Sequence, residues 1–220
     1  MGELLRKLKK TGYFKPVMLM LYVPVYIAGF FLVEKIVPSD TDYWATQTSV
    51  DRLIPFNAWF IIPYTFWVPF MVIAGVCLLF LDVPNFENFM YSIIISFTFC
   101  LVFYVVVPNG QDLRPDVIDG NSFCVWAVSK LYAIDTNTNV FPSIHVAGAM
   151  DGALWFSQLN RSSDKWRWAK AAMFAAAIII VFSTLFIKQH SVLDVISGLV
   201  LSLIIYAGLR IKHKSNLRLS

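Results

Sequence analysis

Two histidines carry the first chemical signal in this chain of 220 residues. His145 stands in "NVFPSIHVAG", directly after Pro142 and Ser143, and His190 opens "HSVLDVISG" with Asp194 four residues on. Residues four apart share a helix face. The Asp194 carboxylate can therefore hold the His190 imidazole in one tautomer and stabilise its charged form, as in a catalytic triad. Proline suits the first turn of a helix, so a helix opening at "PSIH" would offer free backbone N–H groups and the Ser143 hydroxyl as an anion site. Arg114, in "QDLRPD", and Lys188, in "FIKQH", add two cations, and Pro115 biases Arg114 toward an extended backbone. These groups suit attack on phosphorus. One histidine can act as nucleophile and form a phosphohistidine. The other can protonate the departing oxygen, a contribution of ~10²–10⁴-fold, while cations and N–H groups stabilise the charge on the equatorial oxygens. Neither a metal nor a cofactor is required. His145, His190 and Asp194 are also competent zinc ligands, but an arginine and a lysine beside them fit phosphate better than a divalent cation.

The elements that must position these groups are membrane helices. The chain is 58% hydrophobic and only 15% charged, with a mean hydropathy of +0.64, which excludes an ordinary soluble domain. Apolar stretches long enough to cross ~30 Å of hydrocarbon fall near residues 17–37, 58–81, 89–107, 141–159, 169–187 and 192–209. The expected fold is an all-α integral membrane protein, a bundle of six transmembrane helices forming one domain over residues 1–220, with the chemistry between 109 and 194. The opening "MGELLRKLKK" resembles the start of a signal peptide, but the apolar core behind it is too long, so it reads as a retained first helix. Pro24, Pro63 and Pro69 should kink the first two spans.

Charge placement orients the bundle. Arg6, Lys7, Lys9, Lys10 and Lys15 precede span one; Arg161, Lys165, Arg167 and Lys170 flank the turn between spans four and five; Arg210, Lys212, Lys214 and Arg218 follow span six. These are 13 of the 18 lysines and arginines, and six spans put all of them on one side, the cytoplasmic side by the positive-inside rule. The turn "LDVPNFEN" on that side is acidic, but acidic residues weigh little in the rule. The net charge of +4 thus reports topology rather than nucleic-acid binding. Arg114 then falls outside, span four enters from the outside at His145, and span six re-enters at His190. Two crossings bring the histidines to one depth on one face, with Arg114 and Lys188. Ser183, Thr184 and Lys188 should line one side of the end of span five.

Plainer readings win elsewhere. Trp44, Trp59, Trp67, Trp166 and Trp168 fit an interfacial belt, His213 sits among lysines in the tail, and Cys77, Cys100 and Cys124 lack metal-ligand spacing. Asp151 lies on another face of span four from His145 and suits helix packing or a water bridge as well as catalysis. An ionisable residue within a span costs roughly 2.5–3.5 kcal/mol on insertion scales, so the His190–Asp194 pair points to function.

Three stretches resemble the lipid phosphate phosphatase superfamily, the type 2 phosphatidic acid phosphatases related to acid phosphatases and vanadium haloperoxidases. Its motifs KxxxxxxRP, PSGH and SRxxxxxHxxxD are matched by "VPNGQDLRP", "PSIH" and "STLFIKQHSVLD", in order. The resemblance implies that His190 is the nucleophile, Asp194 its orienting carboxylate and His145 the general acid, with Ser143 and Arg114 holding phosphate in metal-independent chemistry. It departs at three points. Val107 stands at the motif lysine, Thr184 at the motif arginine and Ile144 at the motif glycine. Lys188 is a substitute for the lost arginine and Lys130 a candidate for the lost lysine. A PSxH without glycine and "STLFIKQH" look more like the branch with sphingolipid synthases and inositolphosphotransferases, where a lipid hydroxyl resolves the phosphoenzyme.

The expected protein is a multi-pass bacterial plasma-membrane phosphatase, with both termini cytoplasmic and its site extracytoplasmic. Its partners are the bilayer and a lipid substrate (phosphatidic acid, diacylglycerol pyrophosphate or polyprenyl diphosphate), not nucleic acid. A head-group transferase is the alternative within the fold. A transporter with a proton-relaying His–Asp pair is the alternative from another class, and a catalytically dead lipid-binding scaffold is a third. Oligomeric state has no signal in the sequence.

Overall fold

The computed structural model describes residues 12–38 and 41–219. The expected basic residues Arg6, Lys7, Lys9 and Lys10 lie outside them, as do the side chains of Lys212, His213, Lys214 and Arg218. The described chain is helical almost throughout: α1 Phe14–Met20, α2 Tyr22–Ile36, α3 Ile61–Thr65, α4 Trp67–Leu81, α5 Val83–Val106, α6 Phe123–Ile134, α7 Ile144–Ser157, α8 Asp164–Phe186 and α9 Val192–Leu219. Two short strands, β1 Trp44–Ala45 and β2 Asn109–Gly110, pair in parallel.

Five helical stretches are long and apolar enough to cross a membrane: Phe14–Ile36, Ala58–Leu81, Val83–Val106, Asp164–Phe186 and Val192–Ile211. They fit a multi-pass membrane protein. Two of them are broken where proline predicts. A proline ring clashes with the carbonyl four residues back; Pro24 and Pro69 place that clash at Met20 and Thr65, and the breaks fall at Leu21 and Phe66.

The fourth expected span differs. Helix α7 has 14 residues, about 21 Å of length, short of a full crossing. Its surroundings explain this. Ten of its residues are buried, and it packs against α4, α5, α8 and α9. A helix enclosed by protein need not match the hydrocarbon in length or polarity. Small residues, Ala147, Gly148, Ala149, Gly152 and Ala153, let four neighbours approach; a Cβ at Gly152 would sit 2.9 Å from the Phe70 ring. The enclosure also holds Asp151, fully buried, which accepts hydrogen bonds from Ser202 Oγ on α9 (2.6 Å) and Ser96 Oγ on α5 (3.2 Å). Nearby, Trp155 Nε1 donates to Ser92 Oγ at 2.7 Å. Asp151 therefore joins three helices.

The two ends of the bundle have different contents. One holds the Lys15–Glu87 ion pair, the Asn85 Nδ2 bond to the Gln158 carbonyl and the Lys170 bond to the Leu159 carbonyl. The other holds the β1–β2 pair and α6, a helix that the sequence reading left unplaced. Ser122 caps α6 by accepting the Val125 N–H. One face, with Cys124 and Val128, packs against Ile61, Tyr64 and Ile187.

Candidate active site

The turn after α5 organises the second end. Asn109 Oδ1 accepts the N–H groups of Val140 (2.9 Å) and Phe141 (2.7 Å), fixing the approach to α7. Gln111 Nε2 donates to the Lys188 carbonyl at 2.8 Å, fixing the approach to α9. Both amides are fully buried, so neither group can be satisfied by water instead. Pro142 was expected in the first turn of α7, but the structure places it one residue before the cap. Ser143 is the N-cap, its Oγ accepting the Val146 N–H at 3.3 Å, because serine supplies the acceptor that proline lacks. The Ser143 N–H donates to the Asp194 carbonyl at 3.2 Å. The second and third motifs are thereby joined through backbone.

His145 follows in the first turn of α7, with Tyr64 and Trp67 rings against it at centroid separations of 4.7 and 4.6 Å. Its Nδ1 lies 3.2 Å from Nε2 of His190. His190 is not inside a helix, as had been expected, but in the turn between α8 and α9. Asp194 Oδ2 lies 3.7 Å from His190 Nδ1, a little beyond hydrogen-bond length. His190 Nδ1 and Asp194 Oδ1 are both buried without a hydrogen-bond partner. The reason for the offset is that Asp194 Oδ2 also accepts the Ser191 N–H at 2.6 Å, while the Asp194 N–H donates to Ser191 Oγ at 3.2 Å. This reciprocal arrangement is a capping box. One carboxylate starts α9 and faces the imidazole.

The cations do not gather as expected. Helix α8 ends at Phe186, and Lys188 takes a left-handed backbone with φ 56°, so it is not one turn further along the face of Thr184. Its ammonium donates to the carbonyls of Asp51 (2.8 Å) and Ile54 (2.5 Å). Burial lowers the Lys188 pKa, and the Asp51 charge opposes that. The Thr184 hydroxyl donates back to the Val181 carbonyl at 2.8 Å, while its own carbonyl accepts the N–H groups of Gln189 and His190. Arg114 does reach the site. It stacks on the Tyr132 ring, 4.3 Å from the centroid. Its Nη2 donates to the carbonyls of Asp135 (2.9 Å) and Thr136 (2.6 Å) and to Gln189 Oε1 (2.5 Å), leaving Nε unpartnered. Burial lowers its pKa, with Asp135 foremost in opposing that, and an arginine stays charged regardless. Among the described residues no three His, Cys, Asp or Glu side chains converge in a way that could hold a metal ion.

The family model of the PAP2 superfamily matches residues 110–217. That stretch contains Arg114, Ser143, His145, Thr184, His190 and Asp194. The chain belongs to the PAP2 superfamily. Members are generally phosphatases or phosphotransferases acting on lipid-type substrates. No curated protein matches the chain, and no solved structure does.

Sequence reasoning missed several residues around these PAP2 motifs. Ser191 had a local signal, the S-x-x-D spacing of a capping box. Asp51 had none: it is far away in sequence, yet its carboxylate accepts the Val192 N–H at 2.6 Å and Thr48 N–H at 2.7 Å. Tyr64, Asp135 and Gln189 were also unmarked. Asp135 Oδ2 accepts from Gln189 Nε2 at 2.8 Å and from the Tyr64 hydroxyl at 3.3 Å.

Proposed function

We propose that this PAP2 protein transfers the phosphate-bearing group of a membrane lipid onto His190 Nε2 and then to an acceptor, at the extracytoplasmic face of a plasma membrane. The observation that carries the reading is the 3.2 Å contact between His145 Nδ1 and His190 Nε2, with Asp194 behind the far nitrogen of His190. A carboxylate facing Nδ1 favours the proton there and leaves the Nε2 lone pair free. Nε2 attacks phosphorus, the bond to the leaving lipid oxygen breaks, and His145 supplies that oxygen with a proton. His145 then takes the proton of the incoming hydroxyl as it displaces His190. An in-line reaction needs phosphorus roughly 3–3.5 Å from the nucleophile and the leaving oxygen beyond it, so substrate must part the two rings. Ser143 and Arg114, which stand at the phosphate-holding positions of the motifs, would take the phosphate oxygens.

With water as acceptor the protein is a lipid phosphate phosphatase, and phosphatidic acid, diacylglycerol pyrophosphate and polyprenyl diphosphate are its candidate substrates. One observation favours a second reading, a head-group transferase. Val107 and Thr184 replace the two motif cations, and the Lys188 ammonium is held by carbonyls. The basic residues Lys15, Arg161, Lys165, Arg167 and Lys170 lie at the end of the bundle away from the histidines, which supports a cytoplasmic assignment for that end.

The test uses purified protein in detergent with a chelator and phosphatidic acid, comparing phosphate release by wild type and His190→Ala. Release by wild type alone, with an acid-labile phosphoenzyme, supports the first reading. Equal release by both proteins removes His190 from the reaction. If neither releases phosphate, a diester lipid with an added lipid alcohol decides for or against the transferase.

A further inference from the structure

Asp135 is a carboxylate where a site for phosphate would not be expected to place one. It follows α6, and its Oδ2 is held by Gln189, the neighbour of His190, and by Tyr64, whose ring packs at a tilt against His145. Its Oδ1 accepts no hydrogen bond from the described residues. Burial pushes its carboxyl above the usual range, and the nearby His190 and Arg114 charges pull it back. Arg114 and Asp135 act on each other's charge, so the arginine nearest the histidines is already countered by a carboxylate before a phosphate enters, and the hydrogen bonds of both cations, Arg114 and Lys188, go to neutral acceptors. Nη1 and Nη2 of Arg114 donate to Tyr132, Asp135, Thr136 and Gln189. Lys188 donates to Asp51 and Ile54. Of the other acids nearby, Asp51 and Asp194 are turned to the start of α9, and Glu34 accepts from Thr136 Oγ1 and Asn139 Nδ2.

We infer that Asp135 is a specificity-determining residue that makes the site favour a phosphodiester, with one negative charge, over a phosphomonoester. This deepens the phosphohistidine reading above and rests on it. A monoester phosphate carries about −1.5 to −2 at pH 7 because its second pKa is ≈ 6. The extra charge meets a fixed carboxylate in a half-buried site, where Coulomb interactions are several times stronger than in water. Discrimination of roughly 10- to 100-fold follows. In the diester reaction the His190 Nε2–P bond forms as the P–O bond to diacylglycerol breaks, and that oxygen takes the His145 proton. The head-group phosphate then passes to a lipid alcohol or water, whose proton returns to His145.

The experiment uses the full chain in detergent with two short-chain lipids that share acyl groups, phosphatidylglycerol as diester and phosphatidic acid as monoester. Diacylglycerol release gives kcat/KM for each. Wild type should favour phosphatidylglycerol by 10-fold or more. Asp135→Asn should reduce that ratio by about 10- to 100-fold, chiefly through a gain on phosphatidic acid, and Asp135→Glu should keep it. Equal losses on both lipids in Asp135→Asn, or a wild-type preference for phosphatidic acid, would overturn the proposal. Thermal stabilisation by each lipid supplies a readout independent of turnover: the wild-type bias toward phosphatidylglycerol must shrink in Asp135→Asn, and an unchanged bias counts against Asp135. Failure of the phosphohistidine reading looks different, because His190→Ala would then still release diacylglycerol.

Discussion

Gly198 lies one turn after Asp194 on α9, where that helix touches the start of α7. A Cβ there would fall 2.7 Å from the Ser143 carbonyl oxygen and 3.0 Å from Val146 Cβ. Ordinary contact begins at 3.4 Å, so Gly198→Ala must drive the two helices apart by about 0.5 Å or more. The obstacle is backbone and cannot rotate away. Overpacking costs about 1–3 kcal/mol, while alanine returns about 1 kcal/mol of helix propensity, so the net loss of stability is about 0–2 kcal/mol. The effect on turnover should be larger. The displaced segment carries Asp194, whose carbonyl accepts the Ser143 N–H, and His190 just ahead of it. A misplacement of about 1 Å in a catalytic constellation can cost about 10²-fold, so a loss near 10-fold is expected. Gly208, on the same helix, has nothing within 4 Å of its added Cβ, so Gly208→Ala should keep full turnover and match or exceed wild-type stability. Thermal unfolding and lipid turnover of both variants in one detergent provide the assay. Wild-type turnover in Gly198→Ala would refute the claim that this contact sets the distance between the histidines.

Other substitutions test other parts of the structure. Asp151→Asn keeps an acceptor for Ser202 and turns an amide N–H to Ser96 Oγ, which already donates to the Ser92 carbonyl, and should change stability by less than ~1 kcal/mol, whereas Asp151→Leu leaves buried hydroxyls unpaired and should cost ~1–3 kcal/mol; detergent-denaturation curves measure both. Lys188→Met removes the bonds to Asp51 and Ile54 and should expose residues 49–54 to protease without abolishing turnover; unchanged digestion would remove the clamp. Asp135 has a raised folded-state pKa, so the folded protein holds its proton more tightly than the unfolded chain. Its contribution is favourable in acid and is lost as pH rises from the ordinary carboxylate value through the raised one. Melting temperatures across that window should therefore fall in wild type relative to Asp135→Asn, and parallel curves would contradict the burial argument.

Much of the bundle was legible because apolar length reports membrane helices directly. Five of the six expected stretches are long apolar helices, and the proline breaks fall where ring geometry puts them. Helix α7 was overestimated because sequence shows its apolarity but not that protein, rather than lipid, surrounds it. The approach of the two histidines was expected from the parity of crossings together with the motif resemblance. The cations were harder. Lys188 reads as one turn beyond Thr184 only if the helix continues, and no residue type announces a left-handed lysine whose amine turns to carbonyls 134–137 residues earlier. Asp51 and Asp135 depend on the same kind of long-range closure. Helix α6 is short and amphipathic, and Ser122 was its only clear starting signal.

The enclosure of α7 has a consequence for biosynthesis. Fourteen residues with an aspartate near the middle make a poor autonomous insertion signal, since that residue alone counts for ~2.5–3.5 kcal/mol against entry at a helix centre. Its partners arrive at different times: Ser96 precedes it in the chain, but Ser202 follows it by 51 residues. α7 should therefore settle only after α9 has been synthesised, and a ribosome-bound chain ending before residue 192 should leave the segment around His145 open to modification by a water-soluble reagent. On this view the histidine pair is not assembled early and then protected. It comes together only when the helix carrying Asp194 closes against the helix carrying His145.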